Sequence, residues 1–265
     1  LITYKFSDDH FMVVPNAANT ATVWAAFEAR TEGFDVEIRN DSEAVGLIAV
    51  QGPGSLEALT PLLADDPAPL AYYSGAWTTL KSDGSDVEVF VARTGYTGED
   101  GFELFCQNED AEKIWDAVID SGIPCGLASR DSLRLEAGMP LYGNELTRDI
   151  TPVEAGMARA FAKKEQDFVG AEVLRQRAEE GPKAVITGLI SSQRRAARAG
   201  SEVFVGEKKV GTVTSGQPSP TLGHPVALAL LDTAAGLEPG TAVEVDIRGK
   251  RYPFEVSALP FYKRS

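Results

Sequence analysis

The sequence has little cysteine and little histidine: Cys106 and Cys125, His10 and His224 are all it holds in 265 residues. Two cysteines cannot build a disulfide framework. With no CxxC or HExxH spacing, they read as free thiols and a metal site is not expected. Positive charge is also short, 25 Lys and Arg against 39 Asp and Glu, for a net charge of −14. Such a surface repels phosphate backbones and excludes nucleic acid as the expected partner, a local basic patch aside. No apolar run approaches the length of a membrane-spanning helix, so no membrane role is expected. The first residues lack the basic, apolar and small-residue order of a secretory signal. Charge blocks and low-complexity tracts are missing too, which excludes long disorder.

What remains is a chain long enough for two or more domains. LITYKF and HFMVVPN read as strands joined at Ser7, Asp8 and Asp9. A helix follows, with Asn19 or Thr20 as its cap and Val23, Trp24 and Phe27 on its apolar stripe. VGLIAVQGPGSLEALTPLL runs from strand through a Gly-Pro-Gly turn into helix. It lacks the lysine and spacing of a phosphate loop, so it reads as a tight connection. A further helix is expected from about Glu109 to Ser121, burying Ile114, Trp115, Val118 and Ile119. In PCGLASRDSLRLEAGMPLYG, Leu127, Leu133, Leu135 and Met139 keep a helical period, with Ser129 or Asp131 as cap and Gly138 as stop. DFVGAEVLRQRAEEG reads as a helix ending at Gly181-Pro182. From Ala184 six short strands recur with turns between them, a small barrel or sandwich.

The stretch GYTGEDGFELF, residues 95–105, concentrates the question of function. With the preceding DVEVFVART it forms a hairpin whose alternation puts Phe102 and Leu104 on one face and Glu103 with Phe105 on the other. A solvated edge glutamate is the simplest account of Glu103; a carboxylate beside an aromatic that awaits a partner is the other. Arg130, beside the candidate cap of its helix, gains nothing from the helix dipole and needs an anion.

GYTGEDGFEL, GLASRDSLRLEAGMPLYGNEL, TPVEAG, DFVGAEVL and GTVTSGQPSPTLGHPVALALL together resemble the aminomethyltransferase, or T-protein, family of the glycine cleavage system, across nearly the whole chain. The resemblance implies an α+β fold: two related folate-binding α+β domains around a central channel, plus a C-terminal six-stranded β-barrel. Residues 1–40 would be the remainder of the first α+β domain and 41–140 the second. Residues 141–183 would return and connect to the first, and 184–265 would form the barrel. It also implies the chemistry. The family takes the aminomethyl group from the lipoyl arm of the carrier H-protein, releases ammonia and passes the one-carbon unit to tetrahydrofolate, giving 5,10-methylenetetrahydrofolate, with no metal.

Carried over residue by residue, the resemblance makes Glu103 the pterin contact. Two parallel N–H donors of a pterin match the two oxygens of one carboxylate. Arg130 falls on the family's ligand-contacting arginine. Tyr96 stands where a ring can stack on the ligand or pack over the hairpin, while Val14 and Asn16 match the pocket lining. Arg198 matches an interdomain arginine, and Tyr262 a tyrosine near the ligand. Arg194 and Arg195 read as a solvated basic loop. The family's catalytic aspartate would fall immediately before Leu1, so no catalytic residue is assigned within the chain, which lacks roughly the first quarter of a typical member. Asp8, Asp9 and Asp100 have turn and surface roles instead. Two alternatives share the scaffold: a folate-dependent demethylase or sarcosine- or dimethylglycine-type folate domain, and a non-catalytic folate-binding module marked by KGCYxGQE, where this chain reads RTGYTGED. A bacterial cytoplasmic enzyme is expected, with the mitochondrial matrix as the other compartment.

Overall fold

In the computed structural model, which describes residues 1–82, 85–161 and 163–264, the chain divides into two units, Leu1–Cys125 and Gly126–Ser265. The first begins with a hairpin of β1 (Ile2–Lys5) and β2 (Phe11–Val14), which pairs Ile2 with Val14 and Tyr4 with Met12. Helix α1 (Thr20–Glu28) follows a 3-10 turn. Neither expected cap acts there: Asn19 makes no side-chain cap bond, and the Thr20 hydroxyl donates back to the Ala17 carbonyl at 3.1 Å. The 3-10 turn already offers carbonyl acceptors to the Asn19 and Thr20 amides, the kind of N–H group that a cap would otherwise accept from.

β3 (Val45–Gln51) turns tightly into the single-turn helix α2 (Ser55–Leu59), as the Gly-Pro-Gly sequence suggests. β4 (Gly75–Leu80), β5 (Val87–Ala92) and β6 (Gly101–Gln107) complete an antiparallel sheet of order β3-β6-β5-β4, and α3 (Ala111–Ile119) follows. Alternation gives this sheet two different apolar faces. Val87, Val89, Val91, Phe102, Leu104 and Cys106 pack with Leu59, Ile114 and Val118 from the helices. Each fully buried side chain of that layer contributes roughly 1.5–3 kcal/mol. The opposite face carries Phe90, Ala92 and Phe105, covered by Tyr4 of the hairpin with Ile2, Phe6, Met12 and Val14 around it. Two expectations, one on a helix and one on a strand, are corrected here. Trp115 is 44% exposed although Ile114 and Val118 are buried, because the stripe facing the sheet is narrower than the apolar set. Glu103 is half-buried on an inner strand, so the edge-glutamate reading fails: β6 pairs with β3 as well as β5.

The second unit opens with α4 (Leu127–Glu136), starting at a Gly126 cap without a side-chain bond. The helix thus begins before Ser129 and Asp131, which removes both as caps, and Leu127 is exposed in its first turn. Its end follows expectation: Gly138, at φ +67°, donates to the Leu135 carbonyl, and Met139 donates to that of Arg134 at 2.8 Å. Those two bonds are the paired closure of a glycine-stopped helix. After α5 (Ala171–Glu180), the strands β7 (Ala184–Ile190), β8 (Glu202–Val205), β9 (Lys208–Pro218), β10 (Pro225–Asp232), β11 (Ala242–Asp246) and β12 (Arg251–Ser257) close into a barrel of order β10-β7-β12-β11-β8-β9. Closure removes the free sheet edges that a sandwich would leave. Leu189, Val203, Val213, Ala229, Val245, Phe254 and Val256 fill it.

Polar groups on α4 fasten it to the barrel. Arg134, 1% exposed, donates to Asp131 at 2.7 Å, Glu145 at 3.1 Å, the Ser215 hydroxyl at 2.8 Å and the Met139 carbonyl. Buried Glu136 accepts from the Ser219 and Thr221 hydroxyls and the Thr221 amide. Among the described residues no helix is long and apolar enough to cross a membrane.

Candidate functional site

The position of Glu103 is set by the loop before it. The Gln51 side-chain amide at the end of β3 donates to the Thr94 and Phe102 carbonyls, both at 3.1 Å, and its oxygen accepts from the Thr97 hydroxyl at 3.4 Å. A Cβ at Gly95 or Gly101 would collide with that amide. These two glycines of GYTGEDG are therefore clearance for a side chain, which the sequence alone does not reveal. Arg93 completes the clamp. Its Nε and Nη2 hold both oxygens of Asp100 at 2.9 and 2.6 Å, and Nη1 donates to the Ala68 and Leu70 carbonyls. That bidentate pairing raises the arginine further above its already high value and keeps it charged. Asp8 pairs with Lys5, and Asp9 accepts from Ser7 in the hairpin turn.

Glu103 stands in register with Ala49 on β3 and Ala92 on β5, and Ala92 in turn with Gly75 on β4. The next row, two residues along each strand, is large: Leu47, Phe105, Phe90 and Trp77. The carboxylate thus lies on a floor of small side chains below an aromatic step. Tyr4 caps the step edge-on, its ring centroid 5.1 Å from Phe90 and 5.6 Å from Phe105. Only 7% exposed, it has a hydroxyl buried without a hydrogen-bond partner. Burial first, then the nearby Glu103 and Tyr73, push its phenol well above the ordinary value near 10. Beside this step a cavity of about 530 Å³ is lined by Tyr4, Phe6, Tyr73, Gly75, Trp77 and Phe90, among others.

Of the sequence-predicted residues, Val14 packs in the cluster of Tyr4 and Phe105, on the Glu103 side of the sheet. Asn16 is exposed where the chain enters the 3-10 turn, its carbonyl accepting from the Asn19 amide. Tyr96 is half-buried on the β5–β6 connection. In the second unit Arg130 is exposed in the first turn of α4. Its neighbour Asp131 is held by Arg134 and, at 3.0 Å, by Gln217, while Arg198 donates to the adjacent Gly216 carbonyl at 2.8 Å. Arg130 and Arg198 are thereby brought to one end of β9. Half-buried Tyr262 is fixed at the other end of α4, its amide donating to the Glu136 carbonyl. Arg194 and Arg195 are both exposed, and Arg195 lies over the Tyr252 ring at 5.8 Å. Tyr4 and Gln51 escaped sequence reading, since nothing local distinguishes them from an apolar-strand tyrosine and a strand-end glutamine. Among the described residues no group of His, Cys, Asp and Glu could hold a metal ion.

Comparison with known proteins shows the family. The profile of the GCVT N-terminal domain matches residues 1–165, and that of the glycine cleavage T-protein C-terminal barrel domain matches residues 185–263. An aminomethyltransferase of Corynebacterium aurimucosum is 70% identical, with all of this chain aligned to 73% of that protein. The Bacillus subtilis aminomethyltransferase is 44% identical at the same coverage. The crystal structure of glycine cleavage system aminomethyltransferase T from Bartonella henselae superposes with a TM-score of 0.63 at 27% identity, covering 83% of this chain and 84% of that one. With both family profiles, a closed six-stranded barrel and a relative 70% identical over all of this chain, the chain belongs to the aminomethyltransferase family of the glycine cleavage system.

Proposed function

We propose that the chain binds tetrahydrofolate through Glu103 and serves the transfer of a one-carbon unit from the aminomethyl-lipoyl arm of a carrier H-protein, with release of ammonia and formation of 5,10-methylenetetrahydrofolate in a bacterial cytoplasm. The observation that carries the folate reading is the half-buried Glu103 carboxylate on its floor of Ala49 and Ala92. A pterin presents an exocyclic amine and a ring N–H side by side, and one carboxylate accepts both. Small neighbours leave room for the ring plane, and the aromatic step of Phe105, Phe90 and Tyr4 offers apolar surface beside it. Tetrahydrofolate supplies the nitrogens that accept the one-carbon unit. The residues assigned in this chain bind and orient, since proximity and alignment are what a transfer between two bound groups requires. Arg130, Arg198, Tyr96, Val14, Asn16 and Tyr262 enter the proposal as residues whose own replacement weakens folate binding.

The test is a calorimetric titration of tetrahydrofolate into the chain and its Glu103→Gln variant. Glutamine keeps the shape but turns one acceptor into a donor facing a donor. A charge-assisted bond worth about 1.5–3 kcal/mol is lost, so affinity should fall roughly 10- to 100-fold. An affinity within twofold of the unmodified chain, with the fold intact, overturns the assignment.

A further inference from the structure

Three observations in the first unit converge on Tyr4. Its hydroxyl is buried without a hydrogen-bond partner, although buried polar groups are almost always satisfied. It caps the aromatic step beside the Glu103 row and also lines the 530 Å³ cavity, whose rim carries the exposed rings of Tyr73 and Trp77. Tyr73 itself sits at φ +65°, a backbone conformation costly for a bulky residue and found where structure serves a site. An orphaned hydroxyl, a strained aromatic and a cavity on one side of the sheet point to a ligand group that completes them.

Resting on the reading of Glu103 as the pterin contact, we propose that Tyr4 is a specificity-determining residue: its hydroxyl donates to the carbonyl oxygen of a 4-oxopteridine. The ligand's own chemistry sets the geometry. On that ring edge the exocyclic amine and ring N–H that a carboxylate accepts are followed directly by the 4-carbonyl, an acceptor. A site that supplies two acceptors and then one donor reads all three groups. Glu103 supplies the first two and Tyr4, over the neighbouring Phe105 and Ala92, the third. A 2,4-diaminopteridine carries an amine where the carbonyl stands and cannot accept the Tyr4 proton. Facing that amine the hydroxyl can only turn to accept, and its own proton is then left without an acceptor, which is how a site that donates to a substrate group disfavours the analogue lacking it.

The experiment titrates tetrahydrofolate and a reduced 2,4-diaminopteridine analogue into the unmodified chain, Tyr4→Phe and Glu103→Gln, with thermal unfolding of each unliganded protein alongside. Tyr4→Phe is expected to weaken tetrahydrofolate about tenfold and leave the analogue's binding, however weak, alike in the two chains. The unliganded Tyr4→Phe chain should unfold no earlier than the original, since it loses only an unsatisfied hydroxyl. Tetrahydrofolate affinity within twofold in Tyr4→Phe, while Glu103→Gln is weakened, overturns the Tyr4 role and leaves the Glu103 reading standing. Equal losses for both ligands, or earlier unfolding of Tyr4→Phe, make Tyr4 a packing residue and overturn it as well. Unchanged affinity in Glu103→Gln, or no binding by the unmodified chain, removes the reading on which the inference rests.

Discussion

Replacing Arg134 by methionine should destabilise the second unit out of proportion to the volume changed. The guanidinium is 1% exposed and Glu145 is fully buried. Glu145 accepts through one oxygen from Arg134 and from the Leu141 amide, while its other oxygen has no partner. Methionine fills the space but leaves that carboxylate buried with one backbone donor. Removing one partner of such a pair costs about 3–5 kcal/mol, because the remaining charge keeps its desolvation penalty. Asp131 adds little to this sum, since it is 45% exposed in its side chain and retains Gln217. For a unit of this length the loss corresponds to a fall of roughly 10–20 °C in melting temperature. The assay is urea unfolding of Arg134→Met, Glu145→Gln and the double variant, followed by circular dichroism. The double variant should recover much of the loss, since no charge then remains unpaired between the two positions. A single-variant loss below about 1 kcal/mol, or a double variant no better than Arg134→Met, would refute the view that Glu145 depends on this cation.

Two further outcomes follow from the first unit. Because the Tyr4 phenol titrates higher in the folded chain than in the unfolded one, its stabilising share is complete below pH 10 and is lost as pH rises through the folded value. Urea midpoints should therefore fall from about pH 10 upward, less steeply in Tyr4→Phe; identical slopes would separate Tyr4 from the effect. Cys106 is buried, its thiol pushed up by burial and then by Asp110, whereas Cys125 is exposed. A disulfide-exchange reagent at pH 8 should modify one thiol in the native chain and two after denaturation; rapid modification of both in the native state would contradict the packing around Cys106.

Much of this fold was legible because it rests on alternation. The valines of β5 and the phenylalanine and leucine of β6 announce one face of the sheet, and Glu103 with Phe105 the other. The six barrel strands were legible for the same reason, each bounded by turn residues. β4 was not, since GAWTTL mixes a glycine, an exposed tryptophan and threonines without a clean period. The inner position of β6 was hidden as well. It depends on pairing with β3, half the unit away in sequence, and a hairpin motif carries no record of its third strand. Side-chain roles set by tertiary contact were the least legible. Trp115 sits at the margin of an apolar stripe, and the Tyr4 hydroxyl matters only because the hairpin folds over Phe90 and Phe105.

The Gln51 clasp bears on how this site can vary. Because one amide measures the distance between the Thr94 and Phe102 carbonyls, the loop between them behaves as a ruler of set length. A one-residue slip of β6 against that clasp would move Glu103 to the helix-covered face of the sheet, where Phe102 and Leu104 now lie. On the proposed reading of Glu103, changes of ligand preference would come by exchanging side chains on the aromatic step and cavity rim. The loop that delivers the carboxylate is held by Thr97 and Asp100 as well as by its two glycines, and is the less variable part of the arrangement.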